Sequence, residues 1–371
     1  MKIGIVCYPT YGGSGVVATE LGLELARRDN EVHFISYAQP TKLNRFQKNV
    51  YFHAVDIPNY PLIEFQLYSL ALAGKIIDVI KYENIDILHV HYAIPHAVSG
   101  FLAKEILKSS HNFKLVTTLH GTDITLVGLE PSFHPIIKFA LEYSDAITAV
   151  SGYLREKTIQ HFSTNKNIEV IPNFVDTNIY KRVEIPHIRN QFAPNGEKIL
   201  MHVSNFRPVK RVLDVVKIFA EVLAYHPAKL IFAGDGPDRS EAEKLCRDLS
   251  ICSHVKFLGQ QDCLNEILSV ADIFLLPSQS ESFGLSALEA MSCGVPVIGS
   301  NIGGIPEVVS HGETGYVAEL GDVQRMAKYV IELFDNNKKW KIFSENARQR
   351  AIEKFDIKDI VPRYLEIYKD F

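Results

Sequence analysis

The 371-residue sequence predicts an α/β protein of two doubly wound, Rossmann-like domains followed by a helical C-terminal tail. Three observations carry that prediction. Short apolar runs alternate with longer amphipathic ones from end to end, the pattern of βα units whose parallel sheet is covered on both faces. The periodicity then fails between Pro172 and Gly196, where Pro172, Pro186, Pro194 and Gly196 punctuate a polar stretch. Beyond it a second βα series begins.

In the first series the strands fall at 2–7, 32–36, 50–55, 85–90, 114–119, 146–150 and 169–171. The opening strand runs into Tyr11-Gly12-Gly13-Ser14-Gly15 and a helix at 16–28. The second series places strands at 199–203, 229–233, 255–258, 273–276, 297–300 and 315–317, with a helix at 286–293. From Asp322 onward the period and the interleaved charges are helical. The implied boundaries are a first domain at 1–175, a connector at 176–197, a second domain at 198–355 and a terminal helix at 356–371, whose return onto the first domain is left open. Ligands of such domains bind at the carboxyl ends of the strands, here in a cleft between the two.

Composition excludes several classes. With 47% hydrophobic and 22% charged residues the chain is neither disordered nor fibrous. Lys and Arg number 39 against 43 Asp and Glu. Up to Tyr180 the count is 15 against 17, and beyond it 24 against 26, so neither part is a basic module for nucleic acid or anionic lipid. Five cysteines without a C-x-x-C pair point to a reducing compartment. The apolar start is too short for a signal peptide, and no apolar run approaches ~18 residues. A cytoplasmic, unprocessed protein is expected, with no nucleic-acid or membrane partner; a homo-oligomer is left open.

Two loops stand out chemically. Gly12 and Gly13 let backbone approach a ligand at a helix N-terminus, a natural anion site, with a tight packing turn as the alternative. The spacing is not G-x-G-x-x-G, and the second strand ends Phe34-Ile35-Ser36-Tyr37 without an acidic residue for a cofactor ribose. No nicotinamide, and no cofactor at all, is expected. In the second series Ser278-Gln279-Ser280-Glu281-Ser282-Phe283-Gly284-Leu285 joins a strand to a helix. Glu281 lies in the loop and Glu289 one turn into the helix, so free N–H groups can cap a diphosphate while a carboxylate farther in accepts two ribose hydroxyls.

The E-x7-E element from Glu281 to Glu289 occurs together with the Gly12-Gly13 loop, Val170-Ile171-Pro172-Asn173-Phe174-Val175-Asp176 and Gly303-Gly304-Ile305-Pro306-Glu307. On these motifs, in order along the whole chain, the sequence resembles the family 4 retaining glycosyltransferases. That resemblance implies the GT-B fold and a sugar transfer from a nucleotide donor. Residue by residue, it implies that Glu289 binds the donor ribose and that Glu281 faces the transferred sugar. Phe283, Gly284 and Leu285 would offer backbone N–H groups, and Gly12 and Gly13 would close on the diphosphate. The family has an arginine and a lysine five apart in the loop Asn205-Phe206-Arg207-Pro208-Val209-Lys210-Arg211. Lys210 matches the lysine, but Asn205 stands where the arginine belongs, and Arg207 is the candidate substitute; for Lys210 and Arg211 a solvated helix start is the alternative. His120, opening His120-Gly121-Thr122-Asp123 after a strand, matches the family's histidine near the donor sugar.

Further strings, Cys7-Tyr8-Pro9, His91-Tyr92-Ala93-Ile94-Pro95-His96-Ala97, Thr117 to Thr125 and Ser204 to Arg211, are similar to the family's bacillithiol-biosynthesis branch. This similarity implies UDP-N-acetylglucosamine as donor and L-malate as acceptor. A small dicarboxylate needs hydroxyls and cations: Ser14, Tyr92, Thr118 and Thr122 supply the former near strand ends, and Lys42 and Arg45 are the nearest cations, each equally readable as a loop charge. His89 and His91 share a strand face, yet neither a third ligand at metal spacing nor a D-x-D element accompanies them, so no metal is expected. Rival readings are a same-fold transferase with another small or lipid acceptor, a UDP-sugar epimerase and a non-catalytic nucleotide-sugar binder.

Overall fold

The computed structural model describes residues 1–10, 12–43, 46–57 and 67–370. The chain forms two compact units: Met1–Asn173 with Ile357–Phe371, and Phe174–Asp356.

The first unit is built on a seven-stranded sheet of β1 (Lys2–Val6), β2 (Glu31–Ser36), β3 (Val50–Ala54), β4 (Ile87–His91), β5 (Lys114–Leu119), β6 (Ala146–Ala149) and β7 (Ile168–Val170), in the order β3-β2-β1-β4-β5-β6-β7. Every pairing is parallel. Strand order reverses between β1 and β4, the topological switch point where such sheets bind ligands. Because helices cover both faces, all five residues of β4 are buried, His89 and His91 included.

The terminal helix Ile357–Lys369 belongs to this first unit. Arg363 donates to the Val170 carbonyl at 2.6 Å, and Arg28 to the Lys358 carbonyl at 3.0 Å. Tyr364 and Tyr368 are buried, and the Tyr368 hydroxyl lies 2.6 Å from His89 Nδ1.

In the second unit β8 (Lys198–Val203), β9 (Ala228–Ala233), β10 (Val255–Phe257), β11 (Ile273–Leu276), β12 (Val297–Ser300) and β13 (Gly315–Ala318) form a parallel sheet ordered β10-β9-β8-β11-β12-β13. Its switch point lies between β8 and β11. Phe206, Phe219 and Phe232 are fully buried in the core that the amphipathic helix Val212–Leu223 closes.

Each strand falls within two residues of its sequence expectation. The segment 176–197 differs from the connector read there: it lies inside the second unit and contains the helix Pro186–Phe192. Its sequence lacks apolar periodicity because arginines fasten it. Arg182 donates to the Ala271 and Cys293 carbonyls at 2.9 and 3.2 Å, and Arg189 to the Val270 carbonyl and the Asp272 carboxylate at 2.6 and 3.0 Å.

Candidate active site

In the first unit the carboxyl ends of β1, β4 and β5 gather side chains that the sequence singles out. Gly12 is the extended N-cap of the helix Gly13–Arg27, three residues earlier than expected, and as a glycine it brings no side-chain cap of its own. Gly12 and Gly13 are exposed. Ser14 accepts a 2.7 Å hydrogen bond from the Tyr92 hydroxyl. Tyr92 follows β4 in a left-handed conformation, φ +90°, with its backbone N–H on the Thr118 carbonyl at 2.9 Å. Its ring lies 5.2 Å from that of His120, whose Nε2 is 2.8 Å from His91 Nδ1. Ser14, Tyr92 and His120 are therefore one contiguous polar group. Burial pushes the His120 pKa down to about 3, with His96 adding to it, so the imidazole is neutral at pH 7.

Asp123 holds the loops after β4 and β5 in register. Its two carboxylate oxygens accept from the backbone N–H of Ala93 at 2.8 Å and of Gly121 at 3.0 Å. Burial raises its pKa to about 6 although these N–H groups favour the anion. The sequence reading quoted Asp123 only as part of a string; nothing local distinguishes such a tie from an exposed acidic residue.

One acceptor assignment changes. Thr118 is fully buried, and its hydroxyl lies 2.6 Å from both His89 Nε2 and Thr148 Oγ1, so it holds β4, β5 and β6 together and is committed within the sheet. Lys42 pairs with Glu20 at 3.3 Å. Thr122 is exposed at the start of the turn Thr122–Leu126, and Arg45 lies outside the described residues. Sequence reasoning missed Tyr8 and His96, whose rings pack 4.6 Å apart, with Tyr8 5.5 Å from Tyr92.

The second unit's cluster is built differently. Lys210 Nζ lies 2.5 Å from Glu281 Oε2 in a largely buried pair. The loops that carry them are joined by a 2.7 Å bond from the Gln279 N–H to the Val209 carbonyl. Asn205 and Arg207 are both exposed on the same loop as Lys210. Gly284 is the left-handed N-cap of the helix Leu285–Ser292, φ +102°, and as a glycine it brings no side chain of its own to that helix start. Phe283 is buried edge-to-face on Phe355, ring centroids 5.7 Å apart, which leaves its backbone and not its ring for a ligand. Leu285 is half-buried, and Glu289, one turn along, is buried.

Glycine backbones set these loops. Gly234, φ +114°, packs so closely that a Cβ would stand 1.8 Å from the Ser204 carbonyl oxygen. Gly303, φ +61°, does the same at 2.0 Å from the Glu281 carbonyl oxygen. His202, whose pKa burial lowers to about 4, bridges the Leu275 carbonyl and Ser204 Oγ at 2.9 and 2.8 Å and so supports the loop that carries Asn205 to Lys210. Gly234 and His202 were not singled out in the sequence; the Gly-Asp-Gly-Pro string at 234–237 is a turn signal that could have found the former.

Two parallel Rossmann-like units, one with a lysine–carboxylate pair beside a glycine-capped helix start, define a glycosyltransferase of the GT-B fold. The chain belongs to glycosyltransferase family 4. Residues 11–179 match the family model described as Glycosyltransferase Family 4, and residues 184–350 that of Glycosyl transferases group 1. The chain is 46% identical over its full length to N-acetyl-alpha-D-glucosaminyl L-malate synthase of Bacillus anthracis, spanning 97% of that protein. Solved structures share the fold at low identity. Anabaena HepE in complex with UDP and glucose superimposes with a TM-score of 0.86 at 21% identity, all of both chains covered. A glycosyltransferase from Rickettsia africae does so with 0.83 at 21% identity, over 100% of this chain and 98% of that one. Among the described residues no helix is long and apolar enough to cross a membrane.

Proposed function

We propose that the protein moves N-acetylglucosamine from UDP-N-acetylglucosamine to the hydroxyl of L-malate with retention of configuration, the first step of bacillithiol biosynthesis, in the cytoplasm and without a cofactor. The observation that carries this reading is the 46% identity, end to end, with the synthase of that name. The geometry is compatible with it. In the second unit Glu289 would accept the ribose hydroxyls, while the helix start at Gly284 and the cations Lys210 and Arg207 would take the diphosphate. Without donor, Lys210 is held by Glu281; a diphosphate would compete for the ammonium and free the carboxylate for the sugar.

In the first unit Ser14, Tyr92 and Thr122 offer hydroxyls to the malate carboxylates. The bond from the anomeric carbon to the UDP oxygen breaks as the bond to the malate oxygen forms, and the malate hydroxyl proton passes to the departing phosphate. Neutral His120 orients the sugar and is not the base, since its depressed pKa makes it a poor proton acceptor at pH 7. Charge developing on UDP is stabilised by groups already in place.

Incubation with UDP-N-acetylglucosamine, with and without L-malate and with EDTA in both, tests the reading by UDP release and product mass. Malate-dependent UDP release in EDTA with a glucosaminyl-malate mass is the expected result. Release indifferent to malate would remove the acceptor assignment; donor turnover without UDP would point to an epimerase.

A further inference from the structure

A second cluster of ligand-type side chains lies on the edge strands of the first sheet, on residues with no part in either cluster above. In the β2–β3 register Tyr51 stands opposite His33, and His53 opposite Ile35. His33 and His53 therefore project from the same face, two positions apart. Glu83 ends the helix Tyr68–Glu83. One ligand atom from each of His33, His53 and Glu83 lies within 4.8 Å of the others, and His33 Nδ1 is 2.9 Å from His53 Nε2.

The back of His33 is also organised. Its Nε2 lies 3.0 Å from Glu31 Oε1, and Glu31 is in turn paired with Lys2 at 3.0 Å. A carboxylate on the rear nitrogen selects the tautomer with the proton on Nε2, which leaves the Nδ1 lone pair on the side of His53. That relay of carboxylate, imidazole and ion is the usual support of a metal-bound histidine. His33 is buried, while His53 and Glu83 are half-buried, so an ion has both a fixed anchor and an approach from solvent.

We propose that His33, His53 and Glu83 bind a divalent transition-metal ion of the zinc class, with water as the fourth ligand and Glu31 orienting His33. Two imidazoles and one carboxylate suit this class over magnesium or calcium, which prefer all-oxygen shells. At metal–nitrogen distances of ~2.0–2.1 Å, tetrahedral neighbours stand about 3.3 Å apart, so the imidazoles open by a few tenths of an ångström and the carboxylate at the helix end draws inward. The ion would fasten β2 and β3 to the helix Tyr68–Glu83. No local motif announces it: the histidines are 20 residues apart, and Glu83 comes from another element. The sequence expectation of no metal was reached from His89 and His91, which this site does not use.

The full-length protein, stripped with EDTA and desalted, is titrated with Co²⁺ and then Zn²⁺. The expected result is one Co²⁺ per chain, with the visible bands of a tetrahedral ion bleached by Zn²⁺, and a metal-dependent rise in Tm. H53Q and E83Q should weaken the metal at least 10-fold and lose the rise, and E31Q should weaken it ~10-fold. Their Tm in EDTA separates a folding defect from a lost ligand. Absence of tetrahedral bands in the wild type, or bands that both H53Q and E83Q retain undiminished, would overturn the proposal. Sugar transfer in EDTA is a separate readout, expected to persist because the ion touches no donor- or acceptor-binding group.

Discussion

The two units share strand order and parallel pairing, yet they prepare their strand ends by opposite means. In the first, neutral groups interlock: the Tyr92 hydroxyl on Ser14, His120 on His91, and His96 under Tyr8. In the second, the lysine–carboxylate pair Lys210–Glu281 sits between loops drawn together by glycine backbones. On the proposed assignment of donor and acceptor, the difference matches what each ligand would demand. A diphosphate needs cations and free N–H groups close to backbone, which only glycine permits. A small hydroxy acid would need shape and hydroxyls, and His120, in its proposed place beside the sugar, would serve best when neutral.

The comparison breaks most sharply at Lys210. Lys210→Ala should lower kcat ~10²–10³-fold by removing a stabiliser of the departing diphosphate, with the malate KM little changed. Steady-state kinetics with both substrates varied reads this, and a purely malate-side effect would reverse the assignment of the two units.

Acid should separate the units next. Burial pushes His89, His96 and His120 to about 3, 4 and 3 and His91 well below its ordinary range, all in the first unit, whereas the buried strand-end histidine of the second is His202, at about 4. A histidine whose folded pKa is depressed contributes stability that is present above the unfolded value near 6.5 and lost as pH falls toward the folded one. Each proton taken up only on unfolding steepens the loss by about 1.4 kcal/mol per pH unit. Asp123, raised to about 6, acts oppositely, its contribution being present at low pH and lost as pH rises through 6. Because histidines outnumber it, hydrogen exchange between pH 6.5 and 4.5 should show the first unit opening before the second; equal pH dependence would mean these imidazoles are hydrated.

Gly303→Ala probes the glycine side of the contrast. Its added Cβ would stand 2.0 Å from the Glu281 carbonyl oxygen at φ +61°, so the variant should lose ~1–3 kcal/mol of stability and misplace Glu281. Chemical denaturation with donor-binding calorimetry measures both effects. The mildest change, Tyr92→Phe, removes one hydrogen bond to Ser14, about 1 kcal/mol, and should raise the malate KM roughly fivefold at nearly constant kcat. An unchanged malate KM would take Tyr92 out of the acceptor cluster.

Much of this was legible in the sequence, and the exceptions share one cause. Strands announce themselves because both faces of a parallel sheet are buried, so each run is apolar throughout. The loop position of Glu281 and the helical position of Glu289 were legible through motif spacing, which loop and helix geometry convert directly into position, whereas Lys210 was picked out by the family resemblance. Thr118 was misread because a threonine at a strand end has the same sequence appearance whether its hydroxyl faces a ligand or, as here, His89 and Thr148. The segment 176–197 was misread because its attachments are arginine-to-carbonyl bonds, which leave no apolar period.

By itself, then, the order of residues determined the βα alternation, the glycine loops and the E-x7-E element, since these depend on neighbours along the chain. Only the tertiary structure decided which polar groups were already committed to one another, which histidines were held neutral, and that His33, His53 and Glu83 converge from three separate elements. Burial and partnership are properties of packing between distant segments, and no local pattern encodes them.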